Sequence, residues 1–231
     1  ATALINSGTY ALCGKKADLD KMWTDDSSSE IIWMLPILSA DELGPATGEP
    51  YLPQKDGGIV DYIPTKSLLE LFNTLKDTRI NVYFKAYTLS TTTSHSGKIR
   101  LFNKYPEQTD VWKRLGGNES YRWITQPKVF RIAEMYLIAA EAYAQMDKLE
   151  SGSYYLMALE SKRITGQSAS KVFSTRTELM DELKLERRRE MCLEGTRLFD
   201  LKRWHLGVNR GATQEDNLCD RPGSETTTAF K

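Results

Sequence analysis

Histidine and cysteine are scarce in this chain of 231 residues. The two histidines, His95 and His205, lie far apart, so a histidine-rich metal site is excluded. The three cysteines, Cys13, Cys192 and Cys219, form no CxxC pair and show no zinc-type spacing. Cys192 lies on what we predict to be an apolar helix face, and we interpret it as a buried thiol rather than a nucleophile.

The chain also lacks an excess of charge of either sign and any long apolar run. Lys+Arg and Asp+Glu both total 31, so the formal net charge is zero. This balance argues against a nucleic-acid binder that relies on attraction to phosphates. No run approaches the roughly 18 apolar residues of a membrane span. No signal peptide opens the sequence, so we expect the chain to be a piece of a longer protein.

Catalytic motifs are missing as well. There is no Ser–His–Asp order, no phosphate-binding loop and no HExxH. The adjacent acids Asp25-Asp26 and Asp41-Glu42 are candidates for the carboxylate pair of a glycoside hydrolase. Adjacent acids on a polar loop are usually solvated, so we predict that the protein is not an enzyme.

The patterning predicts a mainly α fold with small β-hairpins and long loops. We expect residues 1–127 to be loop-rich with short strands, residues 128–207 to form a helical core and residues 208–231 to be a loose tail. The unit predicted at about 130–164 has the size of one tetratricopeptide repeat.

In the first half, Glu30–Leu35 reads as a strand because it is short, β-branched and aromatic. Glycines and prolines fill 37–62, which predicts a long surface loop of functional type. Ile63–Ser67 opens a predicted helix whose apolar face extends to Leu75. Ile80–Leu89 reads as a strand that pairs with Lys98–Tyr105 in a hairpin.

Helical spacing of apolar residues dominates the second half. Phe130–Met146 is predicted to be a helix, Ser151 and Gly152 a turn, and Tyr154–Ile164 a second helix. The alanines of the first helix would let the two approach closely.

A third helix begins at a capping box formed by Thr175 and Glu178. We predict that it runs to Glu194, with Gly195 as its stop, and that Thr196 starts a fourth helix to about His205.

The segment Leu185–Trp204 interleaves basic, acidic and apolar residues. Apolar side chains threaded through a charge run indicate charges held in fixed pairs against a helical core, because arginine can grip a carboxylate with two N–H groups while its stem packs on apolar surface. An arginine cluster for an anionic ligand is the alternative, which the interleaved glutamates oppose. We expect one or two of the arginines to pair with Glu190 or Asp200. The predicted ion-pair clasp consists of Arg187, Arg188, Arg189, Glu190 and Asp200.

The same segment resembles the C-terminal signature of the SusD/RagB family, the nutrient-binding outer-membrane lipoproteins of the Bacteroidetes. Further motifs occur in the family's order, which makes the resemblance more specific than any one of them. They are E-I-I-W-M-L-P at 30–36, I-P-T-K-S-L-L-E-L-F at 63–72, D-T-R at 77–79 before Tyr83-Phe84, N-K-Y at 103–105 and V-F-R-I-A-E-M-Y-L-I-A-A-E-A-Y at 129–143. The motifs of the family's N-terminal half are not found, and its usual closing segment is not recognisable after Gly207. We therefore expect residues 1–231 to be the C-terminal part of a SusD-like domain.

The resemblance implies a SusD-like, tetratricopeptide-like helical scaffold that binds glycan without catalysis. The family's members sit at the cell surface on a lipid anchor and deliver oligosaccharide or polysaccharide to a SusC-like TonB-dependent transporter. We therefore expect these partners, an outer-membrane location, no nucleic acid and no cofactor, with a calcium site left open. The alternative is a helical-repeat scaffold that binds a protein or peptide.

The family places sugar-binding residues on loops, and in this chain the loop 37–62 and the irregular stretch 106–127 offer aromatic and polar side chains. Packing against the scaffold is the competing interpretation for each aromatic. The tryptophans Trp23, Trp33 and Trp204 are predicted to be core. The candidate ligand-binding residues are Tyr51, Gln54, Asp56, Tyr62, Trp112, Tyr121 and Trp123.

Overall fold

The computed structural model describes residues 1–39, 42, 51, 60, 62–90 and 96–208, and everything below concerns these residues. They form a mainly α fold with two small antiparallel sheets, as predicted. The predicted loose tail falls, apart from residue 208, outside the described residues. The helices are α1 (Thr2–Asn6), α2 (Lys16–Thr24), α3 (Lys66–Leu69), α4 (Asp110–Arg114), α5 (Ile132–Gln145), α6 (Leu149–Arg163), α7 (Arg176–Glu190) and α8 (Arg197–Arg203). The strands are β1 (Ile31–Met34), β2 (Phe84–Ser90), β3 (Ser96–Phe102) and β4 (Lys128–Arg131), and the 3₁₀ helices are Thr78–Asn81 and Glu119–Tyr121.

Helices α5, α6 and α7 enclose one of the two main apolar cores. The turn predicted at Ser151 and Gly152 is wrong, because both residues lie inside α6. The chain turns earlier, at Asp147, whose φ is +55°. A Cβ on Gly152 would lie 2.7 Å from Leu179 Cδ2 and 3.2 Å from the carbonyl oxygen of Ala140. This glycine therefore allows the helices to pack closely together. A local sequence pattern does not distinguish a glycine of this kind from one in a turn.

The capping box that opens α7 is confirmed, with Thr175 and Glu178 bonding each other's backbone N–H groups. The helix ends at Glu190, four residues before its predicted end. The carbonyl oxygens of Glu190 and Cys192 accept hydrogen bonds from Lys104 Nζ at 2.7 and 3.0 Å. These bonds from a distant side chain replace the missing helical ones and end the helix early. Cys192 consequently lies in the turn after α7 and not on a helix face.

The predicted hairpin is confirmed as β2 and β3, with Phe84 opposite Phe102. Its first strand starts later than predicted, because Thr78–Asn81 is a 3₁₀ helix. The Asp77 side chain caps that helix by accepting from the backbone N–H of Arg79 at 3.0 Å. The helix predicted from Ile63 is only α3, and Leu75 is 93% exposed.

Strand β1, predicted as Glu30–Leu35, pairs with β4, which the sequence did not reveal. Strand β4 takes the first residues of the stretch predicted to be helical, so α5 begins at Ile132. The backbone N–H of Ile132 donates to the carbonyl oxygen of Glu30 at 2.8 Å, which ties the start of α5 to this sheet. Beneath the hairpin and α2 lies the second main core, centred on Trp23, Tyr83 and Phe84.

Candidate functional site

A column of aromatic rings leads from the surface into the second core. Tyr62 is 62% exposed, and its ring centroid lies 6.0 Å from that of Tyr51. Tyr51 in turn packs against Tyr105 at 6.4 Å, and Tyr105 meets buried Trp23 edge-on at 5.9 Å. We call these four rings, Tyr62, Tyr51, Tyr105 and Trp23, the aromatic column. Its outer end is the ring of Tyr62, which packs on that of Tyr51.

The inner end of the column is fixed by hydrogen bonds and charge. The hydroxyl of Tyr105 donates to the carbonyl oxygen of Leu193 at 2.9 Å, and burial raises the pKa of this tyrosine. Lys104 Nζ lies 4.9 Å from the ring centroid of Trp23 and 4.2 Å from that of Tyr83, so both rings face a cation. Burial, followed by the neighbouring Tyr62, also raises the pKa of Tyr51. The inner end of the column is thus held in place within the fold.

The second aromatic group predicted from the sequence divides into separate environments. Trp123 packs on the face of the hairpin that carries Ile99 and Leu101, and its buried indole N–H has no acceptor among the described residues. Trp112 is half-buried, and its N–H donates to the carbonyl oxygen of Asn118 at 2.9 Å. Tyr121 lies half-buried in the second 3₁₀ helix. Of these three residues, Trp123 is mainly a packing residue.

Two of the candidate ligand-binding residues, Gln54 and Asp56, lie outside the described residues. Their part in a site stays a prediction. Glu42, another polar residue of the same loop, accepts a hydrogen bond from the backbone N–H of Leu38 at 2.7 Å.

Trp33 was predicted to be core, and this is wrong, because it is 49% exposed. It lies on β1 beside Phe130 of β4, which is 46% exposed, with ring centroids 6.0 Å apart. The pairing of β1 with β4 shifts register on both sides of Trp33, so strict alternation does not tell which side of the strand this residue takes. Trp23 is buried as predicted, and Trp204 is half-buried against the helical core.

The three consecutive arginines of α7 have three different partners. Arg187 donates to Asp200 at 2.7 Å and to Glu134 at 2.9 Å. Arg189 contacts Glu186 at 2.8 Å and two further glutamates. Among the described residues, Arg188 bonds the hydroxyl of Ser67 alone, at 3.1 Å, and burial lowers its pKa. The pairing of Arg187 with Asp200 has the geometry expected from the sequence, whereas none of the three arginines pairs with Glu190.

Glu190 pairs with arginines from three other parts of the chain. Its carboxylate accepts from Arg131 at 2.8 Å, from Arg163 at 3.0 Å and from Arg79 at 3.1 Å. Burial favours the neutral acid, yet the attraction of Arg163, Arg131 and Arg79 holds the pKa of Glu190 well below its usual range. Glu30 adds a second carboxylate, which accepts from Arg163 at 2.8 Å. We call Arg79, Arg131, Arg163, Glu190 and Glu30 the buried charge network.

No residue of this network is exposed, and its charged groups bond one another. An external anion therefore has no route to these arginines, and the network is structural. In the part of the chain that the structure describes, no group of three or more His, Cys, Asp or Glu side chains is placed to hold a metal ion. None of the described helices combines the length and the apolar character needed to cross a membrane.

Known proteins resemble this chain in both sequence and fold. A model of the SusD family matches residues 100–229. The SusD-like protein P2 of Formosa agariphila is 31% identical over 144 residues, which are 54% of this chain and 28% of the relative.

Among solved structures, a SusD superfamily protein from Bacteroides thetaiotaomicron superposes with a TM-score of 0.71 at 24% identity, covering 94% of this chain and 47% of the other. A SusD-like carbohydrate binding protein from Bacteroides vulgatus gives a TM-score of 0.69 at 21% identity, covering 91% of this chain and 41% of the other. The chain thus spans less than half the length of each of these proteins, and the predicted family resemblance is confirmed.

Proposed function

The chain belongs to the SusD family, and we propose that it binds glycan at the cell surface without catalysing a reaction on it. A relative of the same fold carries the description SusD-like carbohydrate binding protein. The family resemblance further suggests delivery of the oligosaccharide or polysaccharide to a SusC-like TonB-dependent transporter in the outer membrane. A lipid anchor on an N-terminal segment would hold the protein there.

The observation that carries the proposal is the exposed ring of Tyr62 at the outer end of the aromatic column. Sugar rings bind by stacking an apolar face on an aromatic ring while amides and carboxylates bond their hydroxyls. Because the ring of Tyr62 already packs against Tyr51, less side-chain freedom is lost when a sugar stacks on it than for an isolated side chain. Trp112 and Tyr121, both half-buried, are second candidates for contacts with the glycan, and Gln54 and Asp56 for its hydroxyls.

The test is affinity electrophoresis of the protein across a panel of soluble polysaccharides. We expect Tyr62→Ala to lower the affinity for the polysaccharide that retards the native protein by about fivefold or more, in line with the loss of one aromatic contact. Tyr154→Ala is the matched control, because Tyr154 is also 62% exposed but lies on α6, outside the column. Equal retardation of both variants, or no retardation by any polysaccharide, would overturn the proposal.

A helical scaffold for a protein partner is the second candidate. One observation favours it: a groove of about 380 Å³ runs along α5 beside α1, and Ile138 and Met146 are exposed there. A pull-down that recovers a soluble partner and no outer-membrane barrel would support it. Loss of that partner with Ile138→Asp, but not with Tyr62→Ala, would separate it from glycan binding.

A further inference from the structure

A second groove, distinct from the aromatic column, opens where the end of α5, the start of α7 and the end of α8 meet. Its volume is about 340 Å³, at the small end of the range for ligand sites and enough for one or two sugar rings. None of its lining residues belongs to the aromatic column. The residues that matter here are Gln145, Arg176, Met180, Asp181, Lys184 and Trp204.

One wall of the groove is apolar and fixed. It is formed by Met180, which is buried, and by Trp204. The indole N–H of Trp204 donates to Glu141 at 2.8 Å, and Arg203 donates to the same carboxylate at 2.6 Å. The guanidinium carbon of Arg203 lies 4.5 Å from the Trp204 ring centroid. The ring is therefore held in place by its hydrogen bond and by a cation on its face.

Two cations line the groove and are only loosely engaged. Arg176 bonds Asp147 at 3.4 Å, and Lys184 bonds Asp181 at 3.3 Å. Both aspartates are exposed, and exposed pairs of this kind contribute little stability. A guanidinium has five N–H donors and an ammonium has three, so most donors of Arg176 and Lys184 have no partner within the described part of the chain.

A hydrogen-bonding amide completes the groove. Of the residues that the structure describes, only Met180 bonds Gln145 Nε2, through its sulfur at 3.9 Å, so the amide of Gln145 has both a donor and an acceptor to offer hydroxyl groups. Among the lining residues, the cations Arg176, Lys184 and Arg203 outnumber the single carboxylate, Asp181. Arg203 is held by Glu141 and Asp200, so Arg176 and Lys184 are the two cations that the groove offers to a ligand.

We propose that this groove binds an acidic saccharide, with the sugar ring against Trp204 and Met180 and its carboxylate at Arg176 and Lys184. The proposal adds a charged sugar class to the proposed glycan binding and rests on that function for its biological meaning. The ligand carboxylate competes with the Asp147 and Asp181 side chains for these two cations. Gln145 bonds the ring hydroxyls.

The experiment is a titration of the protein with glucuronate and, as its neutral match, glucose, followed by NMR on the Trp204 indole N–H. We expect glucuronate to bind in the millimolar range, as a single small sugar should, and glucose to bind about tenfold more weakly. Added salt should lower the affinity for glucuronate and leave that for glucose unchanged. The double variant Arg176→Met with Lys184→Met should lose glucuronate binding by about tenfold, whereas Asp181→Asn should strengthen it severalfold by removing the competing carboxylate.

Equal affinities for glucose and glucuronate, or unchanged binding in the double variant with an unchanged melting curve, would overturn the proposal. Tyr62→Ala separates it from the proposed function, because this change should leave the glucuronate titration as it is. If no polysaccharide of the panel retards the protein while glucuronate shifts the Trp204 signal, the proposed groove site is supported and glycan binding at the aromatic column is rejected. If a polysaccharide retards the protein but glucuronate does not bind at Trp204, the groove site is rejected and the proposed glycan binding is kept.

Discussion

Arg163 and Glu190 face each other with no exposure to solvent, the Arg163 Nε lying 3.0 Å from a carboxylate oxygen of Glu190. Arg163 ends α6 and Glu190 ends α7, so this contact joins the ends of two core helices. The same arginine bonds Glu30 and the carbonyl oxygen of Cys13, which lie at the beginning of the chain. The buried charge network thus ties the first half of the sequence to the helical half.

We expect Glu190→Gln to lower the free energy of unfolding by roughly 3–5 kcal/mol, because it leaves three buried guanidinium groups short of a negative charge. Urea denaturation measures the change. Asp181→Asn on the exposed side of α7 breaks an exposed pair only and should cost less than about 1 kcal/mol. A loss below about 1 kcal/mol for Glu190→Gln would show that the network is not essential for folding.

Alanine substitution of the consecutive arginines of α7 should lower the free energy of unfolding by different amounts. Arg187→Ala removes one of the two arginines bonded to buried Asp200 and also the bond to Glu134, so we expect a loss of roughly 3 kcal/mol. Arg188→Ala removes one hydrogen bond to Ser67 and no ion pair, which predicts a loss of about 1 kcal/mol. Thermal melts of the two variants give the order directly. Equal losses would mean that the Arg187–Asp200 pair contributes little.

Gly152→Ala tests the close approach of helices α5 and α6. The added methyl group would meet Leu179, which is able to shift, and the backbone of Ala140, which is not, so we expect a loss of about 1–3 kcal/mol despite the better helix propensity of alanine. Gly14→Ala is the control, since its Cβ would come no closer than 3.7 Å to Lys162. The prediction is wrong if Gly152→Ala is as stable as Gly14→Ala in the same urea titration.

Glu160 predicts a pH dependence of stability. Burial, followed by repulsion from Glu186 and Glu182, raises the pKa of Glu160 from 4.5 to about 8, against the attraction of Arg189. Its two oxygens accept from Gln167 at 2.8 Å and from Arg189 at 3.3 Å. The folded protein thus holds a proton that the unfolded chain has released. The free energy of unfolding due to this group therefore falls as the pH rises from about 4.5 to about 8.

The variant Glu160→Gln keeps the shape of the protonated acid and cannot ionise. We expect it to gain stability relative to the native protein as the pH rises, by about 1 kcal/mol or more near pH 8. Melting temperatures measured from about pH 5 to pH 9 give the difference at each pH. Glu150→Gln on the exposed side of the same helix should follow the native profile. A constant difference between Glu160→Gln and the native protein would refute the raised pKa.

Several features of the fold were readable from short stretches of sequence. The capping box at Thr175 and Glu178 fixes the start of α7 because both partners lie within one turn. The hairpin of β2 and β3 joins neighbouring segments, so its pairing needed no distant information. The motif order was sufficient to identify the family, and the model of that family matches residues 100–229.

The candidate site was less accessible from sequence. The aromatic column brings Tyr51 and Tyr62 of the loop region onto Tyr105 and Trp23, and the choice of which tyrosine is exposed depends on that stacking. The sequence indicated Tyr51 and Tyr62 as candidates, but it did not indicate which of the two is more exposed. Trp33 was misjudged because its burial depends on what covers β1, and β4, its partner strand, was not foreseen.

The sequence by itself determined the helical core, the hairpin and the family, because hydrophobic period, caps and turn residues act within a few positions of one another. Only the tertiary structure decided which residues form ion pairs with Glu190, since its partners Arg79, Arg131 and Arg163 come from three separate parts of the chain. It also placed Gly152 inside a helix and Trp33 at the surface. Burial and ion pairing depend on distant segments meeting in space, and no local pattern records which segments meet.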